Sequence, residues 1–168
     1  LALDTVRLFT DKPLMIDFGH AGALKAVLAN QSASFHADAL DALARKDLDA
    51  LAGLEKTVPE IAVFQNAYGD LDTVLDALKG HETLDQACID ISQVRRGLSA
   101  EQISWYCDLG ETHGLNYHTG LVFGIYSLKR DQLLVRGGRY DHVGESFGRA
   151  RAATGFSADL KTLVRLAN

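Results

Sequence analysis

The stretch from His113 to Gly148 gathers most of the residues that could do chemistry. Within it, Gly137 and Gly138 are followed by Arg139, Tyr140 and Asp141: two residues without a Cβ, then a planar cation, an aromatic hydroxyl and a carboxylate. Residues that lack a Cβ let a ligand or a neighbouring strand approach the backbone closely. The three polar side chains could then hold a small polar molecule by charge and hydrogen bonding. Arg139 and Asp141 could equally form an internal ion pair, with the glycines serving backbone geometry alone. Nucleophilic catalysis has no support, because Ser104, Ser127, Ser146 and Ser157 lack an activating motif. His113 and His118 lie five apart, but no Cys, Asp or Glu spacing completes a metal site around them, and no metal is expected. His20 follows a short strand, where ligand-facing loops occur, yet reads more readily as a capping or surface histidine.

These residues need elements to position them. Leu121 to Leu128 and Leu133 to Val135 are apolar runs joined by a short polar turn, which predicts a β-hairpin with the glycine pair just beyond its second strand. Upstream, Gln102 to Asp108 alternates as a strand with Ile103, Trp105 and Cys107 on one face, and Leu109 to His118 is a loop. Leu3, Val6 and Phe9 are spaced as in a helix that begins without a capping residue. Leu14 to Phe18 then forms a strand ending in a Gly19-His20 turn, and Ala21 to Asn30 a helix. Residues 31–97 predict a helical lobe. Two short helices have N-caps at Ser34 and Asp47, a third opens at Pro59, a fourth runs from Asp70 to Lys79 and stops at Gly80, and Leu84 to Val94 continues the series. Gly155 to Ala167 closes the chain as a helix with Leu160, Leu163, Val164 and Leu166 inward. The order predicts one α+β domain over residues 1–168, with an antiparallel sheet and the last helix in residues 98–168.

Composition narrows the function classes. With 168 residues, 47% of them hydrophobic and 23% charged, the chain can bury one core. No apolar run approaches the roughly 20 residues of a membrane helix, and no leader pattern is present, so a cytosolic chain is expected. Cys88 and Cys107 stand outside any CxxC pattern and read as two reduced thiols. A net charge of −5 argues against an autonomous nucleic-acid binder. The charge is uneven: residues 1–119 hold 9 basic and 18 acidic side chains, and residues 120–168 hold 8 and 4. A carboxylate or phosphate could be held in the basic part.

The segments GLNYHTGLVFGIY, GGRYD and ATGFSADLKTL together resemble the end of the catalytic domain of histidyl-tRNA synthetase, a class II synthetase. With IDFGHAGALKAVL upstream, they are more similar to that enzyme's non-aminoacylating relative, the regulatory subunit of ATP phosphoribosyltransferase in histidine biosynthesis. The resemblance covers most of the chain and implies a class II synthetase-like sheet flanked by helices. It also implies that this segment corresponds to a C-terminal portion of the domain, because the family's dimer-forming motif and its main ATP-binding motif lie upstream of the matching region.

The same resemblance implies a histidine-type pocket framed by Tyr117, His118, Gly137, Gly138, Arg139, Tyr140, Thr154 and Gly155. Tyr140 and His118 stand where family tyrosines contact the histidine substrate. His113 stands where the synthetase has an arginine that stabilises charge during amino-acid activation, Asn116 where it has an aspartate, and Thr162 where it has an ATP-binding arginine. Single fixed cations of this kind are worth roughly 10²–10³ in rate, so their loss implies no aminoacylation and no cofactor. The implied role is a non-catalytic subunit that binds and activates a catalytic short-form ATP phosphoribosyltransferase and lets L-histidine inhibit it, with a homo-oligomeric full-length chain. The alternative is a histidyl-tRNA synthetase fragment or an amino-acid-activating paralogue.

Overall fold

In the computed structural model, residues 1–98, 101–112, 117–128 and 132–167 are described, with the side chains of 146 and 147 excepted. The sheet is organised by its earliest strand. β1 (Leu14–His20) lies between β3 (Ile103–Asp108) and β4 (Leu121–Ser127), and β5 (Leu133–Arg139) and β6 (Thr154–Ala158) extend the sheet beyond β4. β2 (Tyr68–Asp70) borders β3 at the opposite edge. The expected antiparallel sheet is thus mixed. β1 and β3 run parallel, from Leu14 opposite Ile103 to Phe18 opposite Cys107, while the other four pairs are antiparallel. A parallel pair needs a long crossover, which the intervening helices provide.

That crossover comprises α2 (Ala21–Val27), α3 (Ala33–Arg45), α4 (Leu48–Glu55), α5 (Ile61–Asn66), α6 (Leu71–Ala77) and α7 (Asp85–Gly97), after an initial α1 (Ala2–Arg7). Side-chain caps start three of these helices, satisfying amides that lack a partner in the first turn. Asp47 accepts from the Ala50 amide at 3.0 Å, and Asp70 accepts from the Asp72 and Thr73 amides. α3 is capped by Ser32 rather than Ser34, with Ser32 Oγ accepting from the Phe35 amide at 3.2 Å. Gly80 takes φ +91° just beyond α6, a conformation that a side chain would strain.

One face of the sheet is buried against these helices. Leu14, Ile16 and Phe18 of β1, Cys107 of β3, Ile125 of β4 and Val135 of β5 belong to one core with Leu24, Leu51, Phe64, Leu84 and Ile91 from the helices. Burial pushes the thiols of Cys107 and Cys88 up from their ordinary value, and both cysteines are free. At the sheet's centre the Phe18 and Trp105 rings stack with centroids 6.0 Å apart, and the Arg95 guanidinium of α7 lies 4.1 Å from the Trp105 ring centroid. A cation over an aromatic face holds α7 to the sheet where ordinary apolar contact also operates.

The chain's end departs from the helix expected over Gly155 to Ala167. Residues Thr154–Ala158 are β6, paired with β5, and the helix α8 (Leu160–Leu166) begins only after Asp159. Asp159 accepts from the Lys161 and Thr162 amides and from the Thr162 hydroxyl, and these bonds hold its carboxyl below the usual range. Of the four apolar residues expected inward, Leu163 is fully buried and Leu166 packs partly on the core. Leu160 is 63% exposed and Val164 is also exposed, because a two-turn helix turns only a narrow stripe towards the sheet. Leu163→Ala should therefore lower unfolding stability by about 2–4 kcal/mol, whereas Leu160→Ala should change it by less than about 0.5 kcal/mol, as read from denaturant melts of the two variants.

Candidate functional site

Alternation along the strands assigns side chains to the sheet's two faces. Opposite the helical core lie Asp17 and Gly19 of β1, Val122 and Gly124 of β4, Arg136 and Gly138 of β5, and Gly155 of β6. Gly124 pairs with Asp17 on one side and Arg136 on the other; Gly138 pairs with Val122 and Gly155. Each of these three glycines lies beneath an aromatic ring. A Cβ on Gly124 would stand 2.6 Å from the Tyr126 ring, one on Gly138 would stand 2.6 Å from the His118 ring and 2.8 Å from the Leu121 carbonyl oxygen, and one on Gly155 would meet the Tyr140 hydroxyl. The glycine pair expected beyond the second strand is thus inside it. Gly137 turns to the core face, where a Cβ would meet Phe123 and the Gly155 carbonyl.

Above this glycine floor, Tyr117 and Tyr140 meet with centroids 5.0 Å apart, and His118 meets the edge of Tyr117 at 5.3 Å. Tyr117, His118, Gly137, Tyr140 and Gly155, with Arg136 and Phe156, line a cavity of about 310 Å³. Hydrogen bonds to main-chain carbonyls hold its wall. The Thr119 amide donates to the Arg139 carbonyl at 2.8 Å, the Tyr140 amide donates to the Ala153 carbonyl at 2.9 Å, and Lys25 Nζ of α2 donates to the His118 carbonyl at 2.8 Å. An open, aromatic-walled hollow over bare backbone suits a flat, partly polar group.

Arg139 and Thr154 do not join this cavity. Strand alternation sends Arg139 to the other face from Gly138 and Tyr140, and Thr154, its cross-strand partner, is an exposed residue of β6. Arg139 Nε donates to both Asp141 carboxylate oxygens, at 3.1 and 2.9 Å. Asp141 Oδ1 also accepts from the Ala153 amide at 3.2 Å. Partial desolvation pushes the Asp141 carboxyl up, but the bonds from Arg139, Ala153 and Thr119 outweigh it and hold the group below its ordinary value. The internal ion pair, one of the two arrangements the sequence allows, is the one present. Behind it stands His20, which is buried rather than at the surface. Its Nε2–H donates to Asp90 of α7 at 3.1 Å, and it makes no side-chain cap on α2.

Several residues of the open face escape a reading of the sequence motifs. Asp17, Asp108, Glu111, Tyr126 and Arg136 surround a small hollow of about 40 Å³ next to the aromatic cavity, with Arg136 shared between the two. Three carboxylates there favour a hydrogen-bond donor or a cationic group. Asp17 could have been found as the one charge in the apolar run LMIDF, two residues from Gly19, and Arg136 as the residue two before Gly138. Among the described residues no group of three or more His, Cys, Asp and Glu is placed to hold a metal ion. Thr162 is buried, with its hydroxyl donating to Asp159 Oδ2 at 3.0 Å and accepting from Gln132 Nε2 at 3.4 Å. His113 and Asn116 lie outside the described residues.

Two outcomes follow from this geometry. Gly155→Ala should cost about 1–3 kcal/mol by driving a methyl into the Tyr140 hydroxyl, and Tyr140→Phe in the same chain should recover part of that loss, as measured by a double-mutant cycle. Because the Asp141 carboxyl is depressed in the folded state, its contribution is complete above the ordinary carboxylate value near ~4 and is lost as pH falls through the folded value. Asp141→Asn should accordingly flatten the acid limb of stability against pH, and an unchanged limb would assign the acid sensitivity elsewhere.

A sequence model of the histidyl-tRNA synthetase family matches residues 1–163. The chain is 39% identical over 164 residues to a protein of Pseudomonas syringae pv. syringae named ATP phosphoribosyltransferase regulatory subunit; the match covers 90% of this chain and 42% of that protein. The chain therefore spans less than half the length of that relative. In fold it is similar to an ATP phosphoribosyltransferase regulatory subunit/histidyl-tRNA synthetase from Bacillus halodurans, with a TM-score of 0.73 at 22% identity over 99% of this chain and 47% of that one. It is also similar to a chain of the ATP phosphoribosyl transferase (HisG:HisZ) complex from Thermotoga maritima, with a TM-score of 0.71 at 17% identity over 93% and 57%. The mixed sheet and its flanking helices are the fold of those structures, and over nearly its whole length the chain belongs to the histidyl-tRNA synthetase family.

Proposed function

We propose that this chain is the pocket-bearing part of a regulatory subunit of ATP phosphoribosyltransferase, which binds L-histidine between Tyr117, His118 and Tyr140 above Gly138 and Gly155. The observation that carries this reading is an aromatic-walled hollow of amino-acid size, and Thr162, which the resemblance sets where the synthetase has an ATP-binding arginine, is a buried threonine bonded to Asp159. A triphosphate would also lie near Asp17, Asp108 and Glu111, with Arg136 the single cation among the residues that line their hollow. A histidine imidazole, by contrast, can stack on Tyr117 or Tyr140 and donate a hydrogen bond towards that acidic end.

The name of the Pseudomonas relative and the HisG:HisZ complex of the Thermotoga neighbour support a catalytic short-form subunit as the partner. In this reading the full-length chain self-associates in the cytoplasm, raises the partner's activity and adds no group to the phosphoribosyl transfer. No described helix is long and apolar enough to cross a membrane. Histidine inhibits by binding the less active state of the complex more tightly.

In the full-length subunit assembled with its catalytic partner, Tyr140→Ala should leave assembly and activation intact and raise the histidine concentration for half-inhibition roughly tenfold, the equivalent of about 1.4 kcal/mol. An unchanged inhibition curve would remove histidine from this pocket. Histidine-dependent exchange of pyrophosphate into ATP by the full-length protein alone would instead identify an amino-acid-activating enzyme.

A further inference from the structure

On the core side of the sheet a second cavity, of about 390 Å³, opens between α2, the start of α7 and the ends of β4 and β5. Its wall is polar. At one end Asp90 accepts from His20 Nε2 at 3.1 Å and from Gln86 Nε2 at 2.7 Å, and among the described residues no lysine or arginine pairs with it. At the other end Arg139 uses Nε on Asp141, while its two Nη groups have no hydrogen-bond partner among the described residues. His20 adds a third unfilled function. Because a carboxylate can only accept, His20 Nε2 must carry the proton shared with Asp90, which leaves Nδ1 as a buried ring nitrogen without a partner. Gly22, also in the cavity wall, has no side chain to cover that nitrogen; a Cβ there would stand 3.2 Å from it.

A buried polar atom without a partner costs free energy that a ligand donor can recover. An acceptor-rich end and a guanidinium with free donors, in one hollow of small-ligand size, match a molecule with an ammonium at one end and a carboxylate at the other. We infer that this cavity is a second ligand site for a free α-amino acid, with its ammonium at Asp90 and His20 and its carboxylate on the Nη groups of Arg139. The site shares a wall with the aromatic pocket. Thr119 and Gly120 line it immediately after His118, and Arg139 immediately precedes Tyr140, so an occupant bears on the backbone that sets both rings. The assignment does not rest on the regulatory reading and needs no partner protein.

The test uses the full-length protein and three variants. Ala26→Phe fills the cavity from an exposed position on α2, Tyr140→Ala weakens the aromatic pocket, and Asp90→Asn removes the charge expected to hold the ammonium. Each of the twenty L-amino acids, and inorganic phosphate, is screened at millimolar concentration for a rise in Tm. At least one amino acid should raise Tm in the wild type and in Tyr140→Ala but not in Ala26→Phe. Calorimetry should then show its affinity falling tenfold or more in Asp90→Asn. Should Ala26→Phe fail to fold, Ala26→Leu and Asp90→Asn carry the same comparison. The assignment is overturned if no amino acid shifts Tm in Tyr140→Ala, if the shift survives filling of the cavity, or if phosphate alone produces it.

Discussion

The pocket side of this protein depends on the absence of side chains at three neighbouring points of one sheet face. Gly124, Gly138 and Gly155 occupy β4, β5 and β6, and each is covered by a ring that a methyl group would displace. The rings of Tyr126, His118 and Tyr140 can therefore settle against backbone instead of standing off it by the height of a side chain. Burial on the opposite face makes this arrangement rigid. Phe18, Ile125 and Val135 fix the strand register against the helices, and a slip of one residue would send every glycine to the core side.

The same alternation separates chemistry that is contiguous in sequence. Arg139, Tyr140 and Asp141 read as one gripping set, yet neighbours at the end of a strand face opposite ways. Tyr140 goes to the glycine floor, and Arg139 pairs with Asp141 beside His20. The two cavities are consequently back to back, joined by the segment from Tyr117 to Gly120 and by the end of β5. A ligand in either one would act on backbone adjacent to the other, which would be a physical route for coupling between sites.

Much of the architecture could be read from the chain because local signals and tertiary packing agree. The hairpin, the strand beginning at Leu14, the helix capped by Asp47 and the helix that follows Asp70 all emerge from period and capping chemistry. β6 could not be read in this way. Its residues are mostly exposed, it has no alternating apolar face, and it is a strand because β5 offers an unpaired edge. The parallel β1–β3 pair was equally hidden, since periodicity identifies strands but not the direction of their neighbours. In the site, the glycines and tyrosines stood out as motifs. Asp17 and Arg136 did not, because single charges inside strands gain their meaning only when register brings them to one hollow.

The placement of β1 at the middle of the sheet also has a consequence for how the fold is reached. Both of its neighbours lie about 90 or more residues later in the chain, so the sheet's centre closes only through contacts of long sequence separation. On a ribosome the helices α2 to α7 are made before β3 and β4, the two strands that flank β1 in this sheet. β3 can flank β1 only once Asp108 has been made, and before then the helices of the same core can pack on the apolar face of Leu14, Ile16 and Phe18. The crossover helices, made before β3 and β4, are thus available to cover the central strand's apolar face during synthesis.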